Sequence, residues 1–141
     1  MIRYTFILLT IFLFSCKAEK NKQIHKNEKS TILNLITNNQ NTVQTQNKRG
    51  KVFFSIDPEC PLCRSYSKTI NELYKIYQDS LDFYAFLPSP IFSKEKTDFF
   101  IEKYQFQIPL IVDTNQIITS FLDSKITPEC FLVDNNINIL Y

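Results

Sequence analysis

The sequence predicts an α/β sandwich with a central mixed β-sheet flanked by helices. Three observations predict it. From residue 51 onward, β-rich apolar runs alternate with stretches of helical periodicity, the pattern of layered α/β domains. The first of these runs, Val52–Ile56, is short and apolar, as a strand buried on both faces is. The last two flank an Asp-Asn-Asn turn and pair as a hairpin, so antiparallel strands join the parallel ones.

Each element follows from local chemistry. Ile32-Leu33-Asn34-Leu35-Ile36 and Thr42-Val43-Gln44-Thr45-Gln46 flank Asn38-Asn39-Gln40-Asn41, which predicts an N-terminal β-hairpin. Val52–Ile56 is the central strand, and Asp57-Pro58-Glu59 breaks it. A helix follows, with Leu62, Cys63, Tyr66, Ile70, Leu73, Tyr74 and Tyr77 at spacings of three and four. Leu81–Leu87 is the next strand, closed by Pro88-Ser89-Pro90. Ser93 is placed to cap a helix from Lys94 to about Tyr104, with Phe99, Phe100 and Tyr104 expected to face inward. Ile108–Val112 reads as a strand, and Pro109, lacking an N–H, puts it at an edge of the sheet. A short helix covers about 115–122. Cys130–Val133, the turn Asp134-Asn135-Asn136 and Ile137–Tyr141 complete the order. Inside its apolar strand, Cys130 is expected to be a buried core residue.

The chain has 141 residues and a net charge of +2, which suits one domain. Hydrophobic residues make up 44%, enough for a core and against global disorder. A nucleic-acid partner is not expected at this charge. The single Gly excludes a Gly-rich phosphate loop. Charge is uneven: residues 17–50 carry +5 and residues 51–141 carry −4.

Residues 1–16 read as an export signal. Arg3 precedes an apolar stretch from Tyr4 to Phe14, shorter than the roughly 20 residues that span a bilayer. It ends in Leu13-Phe14-Ser15-Cys16, which resembles a bacterial lipobox, so Cys16 is the expected lipidation site. Residues 17–29 have no apolar periodicity and read as a flexible tether of about 20 Å mean span, with His25 as a solvated member. The domain is expected over 30–141. Export places Cys60, Cys63 and Cys130 where disulfides persist, and an odd count argues against a purely structural framework.

Cys60-Pro61-Leu62-Cys63 sits where the central strand ends and a helix begins. One helical turn brings the two sulfurs together. The unpaired N–H groups and partial positive charge of a helix N-terminus stabilise a thiolate, which makes Cys60 the attacking sulfur. Pro61 fits the first helical position. Cys63, one turn in, is the resolving thiol. Glu59 and Asp57 raise the Cys60 pKa and Arg64 lowers it, a balance the sequence leaves open. Zinc is not expected: it needs four ligands, and the domain offers one Cys pair, one distant Cys and no His. A structural disulfide and a domain that has lost its redox role are the other readings of the pair.

The run from Lys51 to Cys63 resembles the active-site segment of the thioredoxin superfamily. The preceding hairpin with Gly50-Lys51 resembles the redoxin and TlpA/ResA-type branch, which is exported and often membrane-tethered. Thr127-Pro128-Glu129 before a strand is the second marker. The resemblance implies that Pro128 is cis, lies against the Cys pair, and leaves the Thr127 backbone free to hold an extended substrate. The strand and helix at 108–122 match an insertion typical of the branch. Three features depart from the pattern. Glu59 replaces the usual aromatic. Val52–Ile56 lacks the buried carboxylate of many relatives, leaving water, Glu59 or Glu129 to deprotonate Cys63. The family fold also continues with a C-terminal helix that this sequence does not supply, so a strip of apolar strand is expected to stay open, covered by a partner or second copy unless the chain is a truncated product. Peroxide reduction is not expected, because Phe53 and Asp57 occupy the positions of the peroxidase Pro and Thr.

The expected function is therefore a lipid-anchored thiol–disulfide oxidoreductase on the periplasmic or cell-surface side. It acts on protein disulfides and is reset by a membrane electron donor, with no metal or organic cofactor beyond the Cys60–Cys63 couple. The alternative is a non-catalytic anchored binding module, or a truncated fragment, with a homodimer formed through the uncovered sheet face.

Overall fold

A computed structural model describes residues 27, 29–32, 34–36, 48–89 and 92–141. Its strands are β1 (Lys51–Ser55), β2 (Asp82–Leu87), β3 (Leu110–Val112) and β4 (Glu129–Val133), and its helices are α1 (Pro61–Tyr77), α2 (Lys94–Tyr104) and α3 (Ile117–Leu122). The sheet order is β3-β2-β1-β4. β1 runs parallel to β2 and antiparallel to β4, and β2 runs parallel to β3. This is a thioredoxin-like α/β sandwich, as the alternation of runs predicts.

β1 is buried at all five positions because both of its faces are covered. Phe53 points to one side, with Tyr84, Phe86, Phe131, Val133, Ile118 and Leu122. Val52 and Phe54 point to the other, with Phe83, Cys63, Ile70, Phe100 and Phe106. Each large side chain buried this way is worth about 1.5–3 kcal/mol. The Lys51 ammonium, at the strand entry, lies 3.6 Å from Asp82, which also pairs with Lys48 at 3.0 Å.

Several expectations hold. Ser93 caps α2 by accepting from the Lys96 N–H at 3.3 Å. β3 lies at the edge, and Pro109 supplies only its carbonyl, to the Ala85 N–H at 2.9 Å. After β4 the chain turns at Asp134 and returns as a partial hairpin, with one bridge between Val133 and Ile139. Leu132 N–H also donates to the Tyr141 carbonyl at 2.8 Å.

Others are corrected. Residues 29–32 and 34–36 are helical, so the expected N-terminal β-hairpin has no first strand. Ile32, Leu35 and Ile36 are spaced as a helix face, and Ile32 and Ile36 bury that face against the core. The second arm, 42–46, lies outside the described residues, as do Cys16 and His25. Helix begins by Asn27, inside the stretch whose composition suggests a tether. Phe99 is exposed rather than inward-facing and carries the Lys103 ammonium 5.1 Å from its ring centre. Cys130 is exposed: it lines an open groove beside α1 instead of packing into the core.

Gly50 is required by packing. A Cβ there would lie 2.5 Å from the Val133 carbonyl oxygen, against backbone that has no room to give. Gly50→Ala is expected to lower stability by about 1–3 kcal/mol, read as a shifted urea midpoint with unchanged slope.

Candidate active site

The strand-to-helix junction places the two thiols. β1 ends at Ser55, and the chain turns through Asp57, whose Oδ1 accepts from the Glu59 N–H at 2.7 Å. Cys60 is the N-cap of α1, and Pro61 opens the helix. One turn on, Cys63 is fully buried. Both are free thiols. The two thiols lie close enough for each to shift the titration of the other.

The two sulfurs titrate in opposite directions. Partial burial works to raise the Cys60 pKa, but the Cys63 and Leu62 backbone N–H groups, the Cys63 thiol and the Thr127 side chain outweigh it, and Cys60 lies below the ordinary thiol value. The two N–H groups act as dipoles from the first helical turn without closing a cap hydrogen bond. Burial pushes Cys63 up to about 12, and the Asp57 N–H, donating to its Sγ at 3.4 Å, only partly offsets this. The arrangement sets one partly open thiol, shifted toward thiolate, in front of one buried thiol that keeps its proton.

The charged neighbours weighed in the sequence turn elsewhere. Glu59 pairs with Lys96 at 2.9 Å, and Arg64 Nε donates to the Pro58 carbonyl at 3.0 Å. Glu129 is a loop cap. Its Oε2 accepts from Ser124 Oγ and the Lys125 N–H, both at 2.9 Å, and from the Ile126 N–H. Burial opposes its charge, but those donors prevail and hold its pKa below the usual value. The sequence shows Glu129 only as a possible base; its grip on the loop before Thr127 emerges from the fold.

Thr127 and Pro128 come to the Cys pair from 67 residues away. Their peptide bond is cis, and Cys60 Sγ donates to the Thr127 carbonyl at 3.5 Å. Beside them runs an apolar groove of about 450 Å³ between α1 and β4, lined by Leu62, Tyr66, Leu73, Phe54, Ile126 and Cys130 among others. The helical periodicity marks Leu62, Tyr66 and Leu73 as core-facing, yet they stand exposed along this groove, while Cys63, Ser67, Ile70 and Asn71 form the buried stripe. The missed signal is that the spacing describes two adjacent stripes on α1.

A Cys-x-x-Cys helix start facing a cis-proline loop on this sheet is a thioredoxin-like arrangement. Solved structures agree on the fold. The chain is similar to a secreted Mycobacterium tuberculosis disulfide oxidoreductase homologous to E. coli DsbE, with 13% identity and a TM-score of 0.56 over 64% of this chain and 66% of that one. It is similar to StoA from Bacillus subtilis, with 14% identity and a TM-score of 0.59 over 69% and 74%. It also resembles the thioredoxin domain of a thiol-disulfide oxidoreductase from Bacteroides vulgatus, with 16% identity and a TM-score of 0.56 over 66% and 68%. The match thus spans just under two thirds of the mycobacterial chain. No curated protein sequence matches. The chain belongs to the AhpC/TSA family, whose profile matches residues 24–141.

Proposed function

We propose that the protein is a thiol–disulfide oxidoreductase of TlpA/ResA type, acting on protein disulfides outside the cytoplasm. The observation that carries this is the placement of two neighbouring thiols beside Thr127: Cys60 partly open, its Sγ donating to the Thr127 carbonyl at 3.5 Å, and Cys63 sealed, its Sγ accepting from the Asp57 N–H at 3.4 Å. Cys60 attacks a substrate disulfide and forms a mixed disulfide. Cys63 then attacks Cys60, releasing reduced substrate and leaving the Cys60–Cys63 disulfide. Thr127 and Pro128 hold the substrate backbone, and a membrane donor returns the electrons.

Location follows from two supports. The leader ending at Cys16 fits lipid anchoring, and one structural neighbour is described as secreted. On this reading the signal is cleaved before Cys16, which becomes the lipidated N-terminus, 17–29 tethers, and 30–141 works at the periplasmic or outer surface.

Cys63→Ala tests the reaction. It is expected to accumulate protein adducts on Cys60 that reductant releases. The absence of adducts, together with insulin reduction by the wild type no faster than by a free thiol, ends the proposal. The apolar groove favours a second reading, an anchored binding module whose open sheet face a second copy covers. A dimer in sedimentation whose thiol pair never oxidises would support that instead.

A further inference from the structure

On the far side of the Asp57 backbone, between the end of β1 and the loop before β4, lies a cavity of about 280 Å³. Ser55, Asp57, Ser124, Lys125 and Thr127 line it. Two of these residues touch the thiol pair: the Asp57 N–H donates to Cys63 Sγ at 3.4 Å, and the Thr127 carbonyl accepts from Cys60 Sγ at 3.5 Å. The Thr127 side chain also favours both thiolates. Ser55 Oγ is fully buried and has no hydrogen-bond partner among the described residues. A hydroxyl buried that way is costly unless water satisfies it, and a pocket of this size, which Pro88, Phe92 and Ile126 also line, has room for several waters at about 30 Å³ each.

Resting on the thiol–disulfide reading, a question follows: where does the Cys63 proton go? The resolving sulfur is sealed from solvent, and the two carboxylates the sequence offers for it, Glu59 and Glu129, are held by Lys96 and by the 124–126 loop. Asp57 is the carboxylate whose own backbone already touches Cys63.

We propose that this pocket is the proton exit of Cys63, with the Asp57 carboxylate accepting the thiol proton through water positioned by Ser55 and Thr127. The step balances. Cys63 gives its proton to Asp57, its sulfur bonds to Cys60 Sγ, and the bond between Cys60 and the substrate sulfur breaks. The substrate sulfur leaves with the electron pair and takes the proton back from Asp57. Two chain thiols become a disulfide, and one substrate disulfide becomes two thiols. Of the other charged groups nearby, Lys125 lines the pocket and pairs with Asp123, and Arg64 is bound to the Pro58 carbonyl. Cys60 is the other titratable group against Cys63.

Single-turnover reduction of dithiobis(nitrobenzoate) resolves the two attacks. The first coloured thiol reports Cys60 and the second reports Cys63. Asp57→Asn keeps an Oδ1 to accept the Glu59 N–H. It is expected to slow the second phase relative to the first by at least about tenfold near neutral pH. Its second phase should then climb about tenfold per pH unit as hydroxide takes over, while the wild type stays much flatter between about pH 6 and 8. Ser55→Ala is expected to slow the second phase several-fold with an unfolding midpoint unchanged or higher, an outcome no loss of structure produces. Should Asp57→Asn fail to fold, Ser55→Ala carries the comparison. Second phases in both variants that match the wild type in rate and pH slope overturn the proton exit. A wild-type first phase no faster than a free thiol overturns the thiol–disulfide reading itself, and this inference with it.

Discussion

Cys60→Ala is expected to leave no measurable reduction of insulin disulfides, a loss on the order of a thousandfold or more. The size follows from the pair's asymmetry. With Cys60 gone, the neighbouring sulfur is Cys63, fully buried and with its pKa pushed up to about 12. Near neutral pH a thiol of that pKa is thiolate in only about one molecule in 10⁵. Cys130 offers no substitute: although the residue is open to solvent, the apolar groove around its sulfur desolvates a thiolate and pushes its pKa up, and no described donor favours the thiolate. Alkylation of the reduced wild type should show the same order: Cys60 modified first, at a rate that falls as pH drops through its lowered pKa, and Cys63 essentially untouched. Residual turnover in Cys60→Ala, or equal labelling of Cys60 and Cys130, contradicts the assignment of the nucleophile.

What the sequence reveals and what it conceals divide along one line. Features set by a few adjacent residues are legible. Val52–Ile56 is apolar but for Ser55 because both sheet faces are covered, Ser93 announces the α2 start, and Pro109 marks an edge because it has no N–H to share. The Cys pair is legible for the same reason, since strand, break and helix start are consecutive. Features set by what lies across space are hidden. Ile32–Ile36 looks like a strand by its β-branched content, yet its spacing also builds a helix face, and the sheet surface it meets decides between the two. Cys130 reads as core because its strand is apolar, but its side of β4 borders the open groove beside α1. Ser55 and Asp57 show no motif at all. Their nearness to Cys63 exists only after β1, α1 and the 124–127 loop have packed together.

The dithiol form is expected to lose stability steeply in alkali, and the disulfide form is not. Cys63 in the fold has a pKa of about 12, against an ordinary thiol value of 9.0. A raised pKa means that the folded chain keeps a proton the unfolded chain gives up. The stability is therefore fully present below about pH 9 and is lost as pH rises toward the folded value, at roughly 1 kcal/mol per pH unit. Cys60 is shifted the other way. Its contribution is complete once pH exceeds the unfolded value, so it adds no slope in that window. Tyr84 and Cys130 are also raised by burial, but both titrate in either redox form and cancel in the difference. Urea unfolding of both forms at about pH 9.5 and pH 11 measures that difference, and curves that stay parallel refute it. The same sealed proton links the measurement to the chemistry. A thiol held this firmly attacks at neutral pH only if the fold supplies somewhere for the proton to go, so the alkaline slope and the need for an acceptor beside Cys63 stand or fall together.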